Sequence, residues 1–233
     1  MSFDDTSDDS HISDAVSAGL DVVEIRIDRF HTSDPAEIVG HVQRFSDLPT
    51  IATIRTKAEG GGWEGTGDER LALFTAVAPQ VDAIDIELLS TDILPDVVSL
   101  AKGLDRTVII SHHDFQKTPP RSELDAMARR AKEAGADLVK ISTMAETLDD
   151  LRTLTAFLID NVDLGLIVIA MGPHGVVSRV AFPVLGSRIT YAFSGVPTVS
   201  GQLPFSDTFD MLRLFSPLYA ERKIIELGIL DGA

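Results

Sequence analysis

The chain has 233 residues, a hydrophobic fraction of 44% and a formal net charge of −16. This charge repels nucleic acid and anionic membranes, and no apolar stretch is long enough to span a bilayer, so neither is an expected partner. The absence of cysteine excludes disulfides, thiolate metal sites and cysteine nucleophiles, which leaves lysine, histidine and carboxylates as catalytic groups.

The length suits a single catalytic domain over residues 1–233, because barrels of alternating strands and helices reach this size. The acidic N-terminus has neither the basic nor the apolar region of an export signal, so we expect a cytoplasmic protein. Acidic residues outnumber basic ones by 36 to 20, and most of the basic residues are arginine. This excess is consistent with a halophilic protein, because salt screens the repulsion between its charges.

Strands and helices are predicted to alternate along the chain after a loose, polar stretch at residues 1–10. The predicted strands cover residues 21–29, 48–55, 81–88, 106–113, 136–142, 164–171 and 189–193. The predicted helices cover residues 13–20, 35–46, 67–78, 91–104, 122–135, 147–161, 176–185 and 207–226. This alternation is typical of parallel βαβ units.

Seven clear strands fit either a doubly wound sheet or an eight-stranded barrel. Polar residues lie at or just beyond the carboxyl ends of several predicted strands, and they are Glu24, Arg26, Arg55, Glu59, His113, Lys140 and Arg179. A barrel brings these strand ends together at one mouth. The Gly-x-Gly-x-x-Gly turn of a dinucleotide-binding sheet is missing. The sequence therefore favours a (β/α)8 barrel.

Lys140 is an unusual residue because it lies inside the apolar run at residues 136–142. Burial disfavours the ammonium form, so we expect a lowered pKa and an amine that can attack a carbonyl carbon. From the residues alone, the alternative is a lysine that reaches solvent or pairs with a carboxylate.

Eight short motifs together resemble the type I 3-dehydroquinate dehydratase family, the Schiff-base enzymes of the shikimate pathway. The motifs are Glu24-Ile-Arg26-Ile-Asp28, Arg55-Thr-Lys-Ala-Glu59-Gly-Gly, Ile84-Asp85-Ile-Glu87-Leu, Ser111-His-His113-Asp114-Phe115, Gly135-Ala-Asp-Leu-Val-Lys140-Ile, Met171-Gly, Ser178-Arg179 and Gly201-Gln202. They follow the order and approximate spacing of that family from residue 20 to about residue 205.

The resemblance implies a (β/α)8 TIM barrel that removes water from 3-dehydroquinate to give 3-dehydroshikimate for aromatic amino-acid biosynthesis. Lys140 would form an imine with the C3 ketone. His113 would remove the proton at C2 and deliver a proton to the departing C1 hydroxyl, while Glu59 would orient the imidazole. We expect no cofactor and no metal ion, and we expect a homodimer, which is the common default.

The resemblance assigns six further side chains to substrate binding, and these are Glu24, Arg26, Arg55, Arg179, Thr198 and Gln202. Arg179 and Gln202 would hold the substrate carboxylate, and the first three would contact the ring hydroxyls. From the residues alone, the alternatives are that Glu24 forms an internal ion pair with Arg26 or Arg55 and that Gln202 is an ordinary loop residue. Thr198 stands where the family usually has a serine.

Two choices in this assignment depend on local sequence. His112 competes with His113 for the role of base, but strand alternation places His113 on the face shared with Ser111, so we choose His113. Only residues 1–3 stand where the family has its first apolar strand. We therefore expect the first barrel strand to be short or atypical.

Other functions remain possible from the residues alone. A Schiff-base aldolase would usually carry glycine-rich phosphate loops after its last two strands, and those places here hold Ser178-Arg179 and Gly201-Gln202. A catalytically silent barrel that binds a carboxylate would not need an amine beside a base. A metal-dependent barrel is disfavoured because the histidines and carboxylates lack a persuasive ligand spacing.

Overall fold

Seven parallel strands form one sheet in the computed structural model, which describes residues 1–193, 200–216 and 219. The strands are β1 (Ser2–Phe3), β2 (Val23–Arg26), β3 (Thr50–Thr53), β4 (Ala83–Glu87), β5 (Thr107–Asp114), β6 (Leu138–Met144) and β7 (Leu166–Met171). Each strand pairs with the next in chain order. A doubly wound sheet would change direction partway, so this order is that of a barrel and confirms the α/β barrel class.

Over the described part of the chain, the first six helices connect successive strands and the last two follow β7. The helices are α1 (Asp9–Ser17), α2 (Pro35–Gln43), α3 (Gly67–Val77), α4 (Leu94–Gly103), α5 (Arg121–Glu133), α6 (Leu148–Asp160), α7 (Ser178–Val184) and α8 (Phe205–Phe215). Capping boxes begin two of them, with Thr66 and Glu69 at α3 and Thr147 and Asp150 at α6. These side chains satisfy backbone N–H groups that have no partner within the helix.

The strands bury apolar side chains on both faces. Val23 and Ile25 belong to the main core, where the strands pack against the helices. A second, smaller cluster comprises Ile51, Ala83, Ile109, Leu138, Ile167, Ile169, Met171 and Tyr191. Its strand members alternate with residues of the main core, as expected for side chains that point into a barrel. Beyond this apolar layer, the inner face becomes polar toward the carboxyl ends of the strands.

The N-terminal stretch differs from the prediction. Ser2 and Phe3 pair with Glu24 and Ile25, and Phe3 is buried, so the expectation of a loose stretch at residues 1–10 is wrong. Helix α1 also begins at Asp9, earlier than predicted. The expected short first strand is confirmed, because β1 has two residues.

The predicted strand at residues 189–193 is also wrong. Its residues form no strand ladder, and Phe193 makes only an isolated bridge with Pro204. The two-residue β1 offers little backbone for a further strand to pair with. The predicted last helix appears as α8, which ends at Phe215, and residues 217, 218 and 220–226 of the prediction lie outside the described residues. Among the described helices, none has the length and apolar character needed to cross a membrane.

Candidate active site

The polar residues predicted for the site meet in one pocket. Eight of the nine predicted site residues line it, and these are Glu24, Arg26, Arg55, Glu59, His113, Lys140, Arg179 and Gln202. Thr198, the ninth, lies outside the described residues. Because the strands are parallel, their carboxyl ends bring side chains from distant parts of the sequence to one edge of the sheet.

Lys140 lies on β6 with 4% of its surface exposed. Its Nζ donates to Asp85 Oδ2 at 2.9 Å, lies 3.4 Å from Glu24 Oε1, and stands 4.3 Å from the centre of the Tyr191 ring. Burial alone lowers the pKa of Lys140, but Asp85, Tyr191 and Glu24 together raise it above its usual range. The expectation of a lowered pKa is therefore wrong. The lysine pairs with carboxylates inside the pocket.

Asp85 connects Lys140 to Arg55. Its second oxygen accepts hydrogen bonds from Arg55 Nη2 at 2.8 Å and from Ser111 Oγ at 2.6 Å. Burial raises the pKa of Asp85, but Arg55 and Lys140 lower it well below its usual range, so the carboxylate is ionised. From sequence, Asp85 belongs to one of the motifs and has no predicted role. The available signal was its position on β4, two residues before Glu87 and in phase with it.

Glu24 and Arg26 extend the polar wall on β2. Glu24 accepts from Ser2 Oγ at 2.5 Å and from Thr53 Oγ1 at 3.2 Å. Burial raises the pKa of Glu24, but Lys140 and Arg26 lower it to about 2. Arg26 makes two bonds of 2.9 and 2.7 Å to Asp28, and Arg55 bonds to Asp85. The sequence left open an ion pair between Glu24 and either arginine. In the structure, Arg26 pairs with Asp28 and Arg55 pairs with Asp85 instead.

His113 and Glu59 form a hydrogen-bonded pair. Glu59 Oε2 lies 3.0 Å from His113 Nδ1 and also accepts the backbone N–H of His113 at 2.9 Å. Since an ionised carboxylate only accepts hydrogen bonds, Nδ1 carries the hydrogen and Nε2 remains a proton acceptor. Burial and Arg55 lower the pKa of His113 to about 4, although Glu59 opposes them. The imidazole is therefore neutral at pH 7.

Glu59 is itself ionised. Burial raises the pKa of Glu59, but the nearby His112 and the hydrogen bond from His113 lower it to about 2. The carboxylate lies in the turn Lys57–Glu59, which follows β3 and ends at Gly60. Gly60 has a φ of 77°, and a Cβ there would come within 2.5 Å of the Phe115 ring. The glycine thus allows the turn to bring Glu59 against β5.

Arg179 lies in the first turn of α7 with 1% of its surface exposed. Its Nε donates to the Gly201 carbonyl at 3.2 Å, while Nη2 has no hydrogen-bond partner among the described residues. Burial lowers the pKa of Arg179 to about 10, so the guanidinium remains charged at neutral pH. Gln202 lines the same pocket. A buried cation with an unpaired donor suits an anionic group of a ligand.

The site thus combines a lysine paired with carboxylates, a neutral imidazole and a buried guanidinium in one pocket. In such a pocket, the lysine nitrogen can form an imine with a carbonyl group of a ligand, and the imidazole can remove a proton from the neighbouring carbon. Over the described residues, there is no group of three or more histidine, aspartate or glutamate side chains that could hold a metal ion.

Comparison with known proteins gives a consistent result. Residues 1–218 match the family model described as type I 3-dehydroquinase. The chain is 35% identical over 197 residues to the 3-dehydroquinate dehydratase of Methanococcoides burtonii, covering 83% of this chain and 84% of that protein. It is 36% identical over 203 residues to the protein of the same name from Methanothermobacter thermautotrophicus, covering 87% and 89%.

Solved structures show the same similarity. The 3-dehydroquinate dehydratase of Geobacillus kaustophilus matches with a TM-score of 0.84 at 25% identity, covering 89% of this chain and 85% of that one. The type I 3-dehydroquinate dehydratase of Clostridium difficile matches with a TM-score of 0.80 at 30% identity, covering 88% and 86%. The latter structure contains covalently modified comenic acid.

Proposed function

Because the chain belongs to the type I 3-dehydroquinase family, we propose that it dehydrates 3-dehydroquinate through an imine on Lys140, with His113 moving the proton. The reaction itself, removal of water from 3-dehydroquinate in the shikimate pathway, makes the protein a hydro-lyase. One observation carries the proposed route. Lys140 and a neutral His113 line the same pocket, with Glu59 bonded to the far side of the imidazole.

Imine formation fits the charge that surrounds Lys140. Lys140 first gives up a proton, and the free amine then adds to the C3 ketone. The proton returns to the oxygen, which leaves as water, so the net change converts an ammonium and a ketone into a protonated imine and water with one positive charge kept on the nitrogen. Asp85 and Glu24 stabilise that charge before and after the step. The carboxylates that raise the pKa of Lys140 also keep the imine protonated and able to accept electrons.

Proton removal falls to His113. Its Nε2 takes the proton from C2, and the C–H electron pair moves toward the imine nitrogen to give a neutral enamine. The enamine then expels the C1 hydroxyl, which takes the proton back from His113 and leaves as water. Water finally hydrolyses the imine and releases 3-dehydroshikimate. Glu59 stabilises the imidazolium that exists between the two transfers.

Substrate binding follows from the remaining charges. We assign the substrate carboxylate to Arg179 and Gln202, because the guanidinium is buried and its Nη2 has no partner among the described residues. The ring hydroxyls would contact Glu24, Arg26 and Arg55. From the sequence resemblance, we also propose that Thr198 binds the substrate.

Four wider expectations stay proposals. We propose one domain over residues 1–233, because a single sheet runs through the described chain. We propose a homodimer, the commonest closed assembly, and a cytoplasmic enzyme adapted to salt, in keeping with the charge of −16.

Borohydride trapping tests the imine. The protein is incubated with 3-dehydroquinate and sodium borohydride, and the adduct is located by intact mass and peptide mapping. We expect an adduct on Lys140 in the native protein and in Lys102→Ala, whose lysine pairs with Asp137 on the surface. We expect neither adduct nor turnover in Lys140→Ala. Native turnover in Lys140→Ala, or an adduct on another lysine, would refute the route.

A further inference from the structure

Two buried polar atoms beside His113 face each other without a hydrogen bond. Glu59 Oε1 and His112 Nδ1 each lack a partner among the described residues, and neither reaches solvent. They lie 3.7 Å apart, with 4% and 12% of their side chains exposed. Unpaired buried polar atoms are costly, so a pair of them at this distance calls for an explanation.

The surrounding contacts leave Glu59 held at one oxygen. Both bonds from His113, those of Nδ1 and the backbone N–H, go to Oε2. A carboxylate bound at a single oxygen can still rotate about the bond to its carboxyl carbon. Rotation of Glu59 would change the direction of the His113 ring, because the bond to Nδ1 sets where Nε2 points.

We propose that His112 donates its Nδ1–H to Glu59 Oε1 and thereby acts as a positioning residue for His113. A small rotation of the imidazole brings the atoms from 3.7 Å to the distance of an ordinary hydrogen bond. The carboxylate is then held at both oxygens, which fixes its plane and the direction of Nε2. The inference rests on the proposed function, in which His113 moves the proton.

The arrangement also gives His112 a place distinct from that of the base. Alternation along β5 turns neighbouring side chains to opposite faces. His113 lines the substrate pocket, and His112 is not among the described residues that line it. Glu59 lies at the end of β5 and can reach both. The two histidines therefore act in series through one carboxylate.

Two substitutions of His112 distinguish the effect of its hydrogen bond from the effect of its ring packing. His112→Phe keeps a ring and removes the donor, while His112→Asn places an amide nitrogen close to the position of Nδ1. We expect His112→Phe to lower kcat about tenfold with little change in KM, since only the alignment of the base is lost. His112→Asn should recover most of kcat. Equal losses in both variants would overturn the proposal.

His41→Phe is the matched control. His41 also has a buried Nδ1 without a partner among the described residues, but it lies on α2, away from the pocket. We expect unchanged kcat and KM in this variant. Melting temperatures of all variants show whether they fold.

A double-mutant cycle with Glu59→Gln distinguishes positioning from packing. If His112 acts through the Glu59 carboxylate, His112→Phe should cost much less kcat in the Glu59→Gln background than in the native protein. Equal costs in the two backgrounds would overturn the proposal. Borohydride trapping separates the two hypotheses. Absence of an adduct in the native protein would refute the proposed function, whereas trapping in every variant with unchanged kcat would refute only the role of His112.

Discussion

Replacing Asp85 by asparagine should free Lys140 to lose its proton. The Asp85 oxygen lies 2.9 Å from Nζ, and at an effective dielectric constant of about 20 two unit charges at this distance attract by about 6 kcal/mol. Glu24, at 3.4 Å, contributes about 5 kcal/mol on the same scale. Losing even about 2 kcal/mol raises the ratio of amine to ammonium about 30-fold. The same loss weakens the protonated imine, so we expect kcat to fall by about 30-fold or more.

Acetylation by acetic anhydride at neutral pH measures the fraction of Lys140 present as free amine. Peptide mapping gives the rate at which Lys140 is modified. Lys140 should react faster in Asp85→Asn than in the native protein, with exposed Lys102 as internal standard. Asp82→Asn is the matched control, because Asp82 precedes β4 at its other end and accepts the backbone N–H of Thr50 at 2.8 Å. Asp82→Asn should leave both the acetylation rate of Lys140 and kcat unchanged. An unchanged or slower reaction of Lys140 in Asp85→Asn would refute the reasoning.

Three further predictions concern the base, the carboxylate site and salt. His113 must be neutral to act as base, and its pKa is about 4. We therefore expect kcat/KM to stay constant from pH 7 to pH 5 and to fall near pH 4. A midpoint of the fall in kcat/KM near the ordinary histidine pKa of 6.5 would contradict this prediction. Arg179→Gln should raise KM for 3-dehydroquinate about 10- to 100-fold by removing a charged hydrogen bond, whereas Arg188→Gln, at an exposed residue, should not. The melting temperature should rise by several degrees between low and molar KCl, because the screening length falls from about 10 Å to about 3 Å; a melting temperature that does not rise would exclude salt adaptation.

Patterns along the chain were enough to locate the pocket. Polar residues after successive apolar strands predicted a barrel mouth, and eight of the nine predicted side chains line one pocket. Alternation on β5 was enough to place His113 on the pocket side. Such predictions succeed because the direction of a side chain in a strand depends on its immediate neighbours in sequence.

The edges of the sheet were harder to predict. The polar residues after Phe3 suggested a loose N-terminus, yet Phe3 is buried and β1 pairs with β2. The apolar residues 189–193 suggested a strand that does not form a ladder. A strand needs a partner as well as a suitable pattern, and a partner is supplied by a distant part of the chain.

The sequence by itself determined the alternation of strands and helices, the polar residues at the strand ends and the presence of a lysine inside an apolar strand. The tertiary structure alone decided the charge of that lysine. Burial could be inferred from the apolar run around Lys140, but Asp85 and Glu24 are 55 and 116 residues away in sequence and only 2.9 and 3.4 Å away in space. Electrostatic energy depends on distance in space, so the pKa of Lys140 follows from the fold that brings these carboxylates to it.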